Sequence, residues 1–451
     1  MAYTKFIAAI DIGTHYTRGI VGTRKENKKL LILAHETEET GNSMQRGCVY
    51  NPENIANTVK RIISKMENKL GNLTISKIYV GFGGQSLRTV SNIETIRIGG
   101  TVTRETVLSL WDKCLRYRMD DLDVIDTLPP QYLLNGRNEI SPVGKTCNSL
   151  EASYKQVVAR PLIRTQLRKI IEERLGLEMV DILASPLALA EVLLTEDDKE
   201  EGCVLINFGA GTTSFVIYRS GQVEMMKVIP LGGNAITQDI ATFFSISETE
   251  AERIKQIYGR AVSNETLDTK KLINVNSSKG KSANKQILLK DVEKIVEARI
   301  AEIIENVYFW VDSSNCLQFI GSGIIISGGG AGLKSLSTAI EKRFNISAHD
   351  ATLVIDPEVE GRPMTNVLDY AAAIGMLCLG NANCAGEVET HVVHPPKPKP
   401  ETLPPPTPPL PLEEKQTETK QEEPEIPKKP IEKKSRLGNL FDTVRKDLFN
   451  G

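Results

Sequence analysis

Two stretches of this chain, Ala8 to Gly22 and Val204 to Tyr218, carry one pattern. An apolar run with β-branched residues reaches a polar side chain, passes a turn rich in Gly and Thr, and resumes as a second apolar run. The turns read Asp11-Ile12-Gly13-Thr14-His15-Tyr16 and Asn207-Phe208-Gly209-Ala210-Gly211-Thr212-Thr213. Each predicts a β-hairpin whose tip is lined with donors. Glycine lets backbone N–H groups approach an anion closely, and Thr hydroxyls add further donors. One such hairpin is ordinary. Two copies, in register from Asp11 and Asn207 through Gly13 and Gly209, predict a duplicated lobe with a polyphosphate clamped between facing tips. Gly144-Lys145-Thr146 resembles the end of a P-loop, but Glu139 occupies the position five residues earlier where that motif needs Gly, so it is set aside.

At 451 residues, 40% hydrophobic and 25% charged, the chain has room for about two to four compact units of soluble type. A net charge of −2 gives no support for nucleic acid as a partner. The seven cysteines show no CxxC pair and no His at metal-ligand spacing, which predicts reduced thiols filling core positions. Met1 to Asp11 lacks the apolar stretch of a signal peptide, and nowhere do eighteen apolar residues run together. The expectation is a protein neither secreted nor membrane-spanning.

Apolar spacing predicts a helix from Asn54 to Leu70, then a strand from Ile75 to Phe82, the alternation of an α/β lobe. From about Gly84 to Ala159 the pattern changes to short strands around Thr89 to Ile98, a helix from Arg104 to Arg118, and strands near Val124 and Val157. This predicts an inserted subdomain. Helices follow over Thr165 to Leu175 and Pro186 to Leu194. Pro230 to Asn234 opens another helix, and a charged, mostly helical stretch runs from Glu248 to about Val311, broken near Lys271 to Lys285. A third glycine turn, Ser327-Gly328-Gly329-Gly330-Ala331-Gly332-Leu333, predicts a strand meeting a helix start, whose N–H groups and dipole suit a nucleotide.

Between Pro395 and Pro430 lie 13 of the 22 prolines, with Lys and Glu between them, a composition that predicts an extended linker. Beyond it Leu437, Leu440, Phe441, Val444, Leu448 and Phe449 recur at intervals of three and four, with Lys433, Lys434, Arg436, Arg445 and Lys446 around them. That is the pattern of a basic amphipathic helix. It suits either an anionic membrane surface, the preferred reading, or a groove on a partner or on the chain's own body. Partial burial of its apolar side chains supplies about 6–10 kcal/mol, while ordering roughly fifteen residues costs an amount of the same order. One tip therefore holds marginally and reversibly, whereas an array of tips holds firmly.

The Asp11-Ile12-Gly13-Thr14 turn, its second copy, the Ile325 to Leu333 glycine turn and Ala371-Ala372-Ala373-Ile374-Gly375 resemble the nucleotide site of actin-fold ATPases. Pro130-Gln131-Tyr132 and Pro142-Val143-Gly144 in the insert, the Thr195 to Gly202 approach to the second hairpin, and the tethered terminal helix narrow the resemblance to the FtsA family, bacterial cell-division relatives of actin. The resemblance implies an α/β, actin-like (ribonuclease H-like) two-lobed fold with an inserted α+β subdomain in the first lobe, a disordered Pro-rich linker and a C-terminal amphipathic helix. The corresponding divisions are a first lobe at 1–83 and 161–202, an insert at 84–160, and a second lobe at 203–244 and 319–390. Its outer part falls at 245–318, the linker at 391–434 and the membrane-targeting helix at 435–451.

The same resemblance implies ATP with Mg2+ as ligand and self-assembly into filaments. Its partners would be the C-terminal tail of FtsZ, received by the outer part of the second lobe, an anionic membrane surface, and later division proteins. The place implied is the cytoplasmic side of the plasma membrane at the division site. Carried over by position, Gly13, Thr14, His15, Tyr16 and Arg18 would form the first phosphate turn, with Asp11 oriented toward the metal through water. Gly209, Ala210, Gly211, Thr212 and Thr213 would form the second, beside Asn207. Gly232, Gly233 and Asn234 would lie by the sugar or phosphates, and Glu252 and Lys255 would face the adenosine. Gly328, Gly329, Gly330 and Leu333 would complete that pocket.

Departures from the family pattern carry information of their own. Asn207 and Ser214 stand where acids are frequent, Ser185 stands where Glu or Gln often does, and Tyr16 replaces a Lys, with Arg18 two residues on as a substitute cation. Asn hydrogen-bonds a metal-bound water but cannot act as a base. Hydrolysis is therefore expected to be slow. A kinase or ATPase enzyme on the same fold, or a pilus-assembly or chaperone-like relative, remains the alternative.

Overall fold

The computed structural model describes residues 5–24, 29–71, 73–117, 119–263, 270–276 and 284–386. The stretches at 391–434 and 435–451, including every residue expected to touch a membrane, lie outside the described residues.

The repeat seen in the hairpins extends to whole sheets. In the first sheet the order is Leu30–Glu39, Tyr16–Arg24, Ile7–Ile12, Lys77–Phe82, Glu178–Ala184. In the second it is Gln222–Ile229, Thr213–Arg219, Cys203–Phe208, Gly323–Ser327, Ala348–Asp350. Both run antiparallel across the first three strands and parallel across the last two junctions. The strands leading into the two tips are buried almost throughout, as a sheet covered on both faces requires. Two apolar cores follow, one gathered around the first sheet and continuing into the second through Leu205, Val216, Met226 and Ile325, and one around the rest of the second sheet and its helices.

The helix between the third and fourth strands of the first sheet spans Pro52–Leu70, two residues longer at its start than its apolar spacing predicts. Asn51 caps it, accepting from the N–H groups of Glu53 and Asn54, and Pro52 needs no intrahelical partner there. The expected helix at Thr165 to Leu175 begins earlier, at Pro161, and from Lys169 to Arg174 it loosens into a π-helical turn. Two short helices, Ser185–Leu193 and Ala371–Leu379, are buried nearly all round and lie against each other. Their contact is close enough that a Cβ on Gly375 would sit 1.8 Å from the Ala188 carbonyl oxygen.

The insert differs most from its sequence reading. The expected strand near Val124 is short, Asp123–Thr127, but those around Thr89 to Ile98 and near Val157 are strands of 14 residues each, Arg88–Thr101 and Thr146–Ala159, paired antiparallel and covered on one face by the helix Arg104–Arg116. It has a core of its own around Leu110, Trp111, Leu150 and Tyr154. In-and-out alternation from Val90 to Thr101 sustains the long strand. Through Arg88, paired with Lys227, this ladder also continues the second sheet.

Candidate nucleotide site

The two hairpins close their tips with the same hydrogen bond. Gly13 N–H donates to Tyr16 O at 3.1 Å, and Gly209 N–H donates to Thr212 O at 2.9 Å. Strand pairing ends at Ile12 with Thr17 in one copy and at Phe208 with Thr213 in the other. Glycine opens both turns for one steric reason. A Cβ would lie 2.7 Å from Tyr16 O in the first and 2.8 Å from Thr212 O in the second. The tips also meet, because a Cβ on Gly211 would fall 2.6 Å from Thr14 Oγ1.

Three segments brace the second tip. Gly233 N–H donates to Gly209 O at 3.0 Å and Asn234 N–H to Ala210 O at 2.8 Å, so these amides of the helix Gly233–Phe244 support the tip instead of standing free for a ligand. The approach demands glycine at position 232, where a Cβ would lie 2.6 Å from both Gly209 O and Ala210 O. Gly328, at φ 90°, would place a Cβ 2.4 Å from Asn207 Oδ1, which sets the third glycine turn directly on the second hairpin. That turn is a short 3-10 segment, Gly329–Gly332, and the following α-helix starts only at Leu336. The expected helix-dipole contribution at the glycine run is thus absent. The third brace, Gly47 and Gly84, was missed in the sequence. A Cβ on Gly47 would sit 2.7 Å from Gly84 Cα and 3.2 Å from Thr212 Cγ2. Gly83-Gly84 directly after the strand Lys77–Phe82 was the available signal.

Asp11 lies at the end of the first strand, partly open to the cleft and otherwise enclosed by protein. Ser185 Oγ, at the start of the helix Ser185–Leu193, donates to its Oδ1 at 2.7 Å. Burial pushes the Asp11 carboxyl above the usual range, and the Ser185 hydrogen bond and the Arg18 charge only partly oppose it. A buried carboxylate so poorly compensated fits a hard cation such as Mg2+, held directly or through water. Arg18 is Asp11's register partner, but its guanidinium reaches to 3.9 Å from Asp369 and 5.0 Å from the Tyr16 ring.

This carboxyl gives a pH-linked expectation. With the folded pKa above the unfolded one, the native state binds more protons in the window between them, so stability falls as pH rises through it. At neutral pH the full cost of ionised Asp11 is present. Asp11→Asn should therefore raise the Tm of the nucleotide-free protein and flatten its acid-side pH profile, while weakening Mg2+-dependent ATP binding. Calorimetric Tm against pH, with the parent alongside, checks the sign; an unchanged or lower Tm at neutral pH counts against it.

Glu252 and Lys255 project from the helix Glu248–Tyr258 into one network with Thr237. Lys255 Nζ lies 2.7 Å from Glu252 Oε2 and donates to Thr237 Oγ1 at 2.9 Å and to Gly233 O at 3.1 Å. The Thr237 hydroxyl donates to Glu252 Oε2 at 2.5 Å. Burial alone would raise the Glu252 pKa, yet the hydrogen bonds from Lys255 and Thr237 hold it below the usual range. Thr237 had no separate signal in the sequence, although it stands one helical turn beyond Gly233. The same helix leads to Gly259, where a Cβ would lie 3.0 Å from Leu333 Cδ1, so Leu333 joins this wall.

Three further expected residues stand in different surroundings. Thr213 is fully buried opposite Phe208, and its Oγ1 has no partner, which places it in the lobe's interior. Gly329 has open space around its Cβ position. His15 is exposed, with its ring edge-on to Tyr16 at 4.4 Å.

Known proteins are similar to this chain. A family model described as cell division protein FtsA matches residues 204–375. The cell division protein FtsA of Porphyromonas gingivalis is 30% identical over 397 residues, covering 85% of this chain and 80% of that one. The chain belongs to the FtsA family of cell division proteins. Among solved structures, the PilM–PilN type IV pilus biogenesis complex is similar with a TM-score of 0.56 at 13% identity, over 82% of this chain and 97% of that one. MreB5 of Spiroplasma citri bound to ADP is similar with a TM-score of 0.50 at 13% identity, over 83% and 96%. At that identity the likeness is one of fold, the actin-like α/β fold expected for an FtsA-family chain.

Proposed function

We propose that this FtsA-family chain binds ATP between its two hairpin tips, with Mg2+ held at Asp11 through water, and assembles with copies of itself into actin-like filaments. Those filaments tie the FtsZ ring to the cytoplasmic face of the plasma membrane at the division site. The observation that carries the nucleotide reading is the congruence of the tips: equal closing hydrogen bonds, the same steric need for glycine, and direct contact across the cleft. Such paired backbone turns suit a polyphosphate. The ADP bound in the similar MreB5 structure supports the choice of ligand class.

Hydrolysis is slow in this reading, because the second hairpin offers the Asn207 carboxamide where a carboxylate would be needed as base. Turnover of ATP by the parent chain should be weak, and Asn207→Asp should raise it. Parent turnover already at the level of active actin-like ATPases would overturn this assignment.

The division of the chain proposed above gives each part a task. The outer part of the second lobe, 245–318, receives the FtsZ tail; its hairpin pairs Leu272 directly with Leu288, and both side chains are exposed, which suits an apolar peptide. The insert, 84–160, meets a neighbouring subunit or later division proteins. The basic amphipathic stretch at 435–451, on its proline-rich tether, holds the membrane. Sedimentation with anionic liposomes should carry down the full chain and leave a chain ending at Pro430 in the supernatant. Equal pelleting of the two would remove the membrane-anchor assignment.

A further inference from the structure

The insert is rooted in one sheet and hydrogen-bonded to the other. Its chain leaves the first sheet after Phe82 and returns toward it after Ala159. Its long ladder meets the second sheet through a single backbone pair, Arg88 with Lys227. Next to that pair a side chain takes over the backbone's work. The Thr89 hydroxyl accepts from Met226 N–H at 2.9 Å and lies 3.5 Å from Met226 O. One part-buried ion pair completes the junction: Lys155 Nζ, 3.0 Å from Glu224 Oε1, also donates to Ser91 Oγ at 3.1 Å.

The polar part of this junction is thin. Arg88 and Lys227 are like charges directly opposite each other, an unfavourable cross-strand pair. Lys227 is accommodated by stacking its ammonium 3.6 Å from the Trp310 ring centre, on the helix Leu289–Ser313 of the second lobe. One ladder pair, one hydroxyl and one ion pair, against a like-charge contact, make up the polar part of the joint, over a buried core that contains both Leu87 and Val157 of the insert and Met226 and Val228 of the second sheet. In this structure the joint is closed, and the hairpin tips are in contact.

We infer that the Thr89–Met226 and Lys155–Glu224 contacts form a latch, closed while the hairpin tips meet and released when they part, which frees the insert from the second sheet. The coupling half of this inference rests on the nucleotide reading of the cleft; the latch itself does not. Released, the insert stays attached to the first lobe through its two connections and through Arg164, which pairs with Asp123 at 2.5 Å and donates to Val124 O at 3.0 Å, so its outer surface changes orientation relative to the second lobe. The state of the cleft thereby reaches a surface that contains no nucleotide-site residue.

Hydrogen exchange on the full chain tests both halves. With ATP and Mg2+, the amides of Gly209 to Thr213 and the Met226 amide should all slow, each by about tenfold or more. In Thr89→Val, which keeps the side-chain shape, Met226 should exchange fast with or without ATP while the tip amides still slow. Slowing at the tip but not at Met226 in the parent overturns the coupling. Slowing at neither place refutes the nucleotide reading and the coupling with it, and the latch is then decided by cross-linking. Residues directly opposite in an antiparallel ladder have Cα atoms about 4.5–5.5 Å apart, within disulfide reach. Arg88→Cys with Lys227→Cys should oxidise to a mapped 88–227 disulfide in the full chain. A pair that stays reduced under oxidant overturns the latch.

Discussion

Gly375→Ala is expected to destabilise the protein by about 3 kcal/mol or more, the upper end of overpacking costs, and to lower its Tm by roughly 4 °C or more. Helix propensity predicts the opposite, since Ala is favoured over Gly by about 1 kcal/mol in a helix interior. Packing decides the sign. The new methyl would sit 1.8 Å from Ala188 O and 2.5 Å from Ala188 C, both backbone atoms that no rotamer change removes. The helices Ala371–Leu379 and Ser185–Leu193 would have to separate by more than an ångström, and both are buried in one core. Ser185 starts the second of these helices and holds Asp11, so the shift also disturbs the cleft. Gly329→Ala is the matched control, with nothing within 4 Å of its Cβ position. Thermal denaturation of the three proteins decides; a Gly375→Ala Tm at or above the parent's would show that the helices do not approach as described.

The reason for Gly375 shows where sequence reading stops. Ala371 to Gly375 could be singled out as a small-residue run, but not that Ala188, far away in the chain, lies against it. Periodicity reports which face of an element is apolar, and here both helices are buried nearly all round. The hairpins were legible because their whole signal is local: alternation, a glycine forced by the turn's own carbonyl, and a second copy to compare. The insert's covering helix was legible for the same reason, ending at Arg116 instead of Arg118. Its union with the second sheet was not, because Thr89 and Met226 are 137 residues apart and neither carries a local mark.

The site divides along the same line. Gly13, Gly209, Gly328 and Gly330 come together as expected, since a Cβ at each would strike an atom of its own turn or of the second hairpin. Thr213 does not, because strand parity turns it inward: it pairs with Phe208, whose side chain belongs to the core. Gly233 and Asn234 stand beside the second tip and spend their amides on its carbonyls. Thr237 and Gly47 act only through tertiary neighbours, which a single sequence does not show.

Gly209→Val is expected to lower ATP affinity by at least about a hundredfold, roughly 2.7 kcal/mol, while leaving liposome binding by the full chain intact. The branched side chain begins 2.8 Å from Thr212 O, the atom that accepts the turn-closing bond from Gly209 N–H. Relief requires the turn to open, and the carbonyls of Gly209 and Ala210 move with it. Those two oxygens hold the amides of Gly233 and Asn234, so the brace under the tip is lost together with the alignment of the tip's own N–H groups. The strands on either side stay paired from Cys203 with Tyr218 to Phe208 with Thr213, which confines the damage to the tip. Because the first hairpin closes in the same way, Gly13→Val should reproduce the loss through a clash with Tyr16 O. Equilibrium ATP titration of both variants tests the clamp as a pair. Loss in one and not the other would mean that a single hairpin carries the ligand, and parent-like affinity in both would put the nucleotide elsewhere on the molecule.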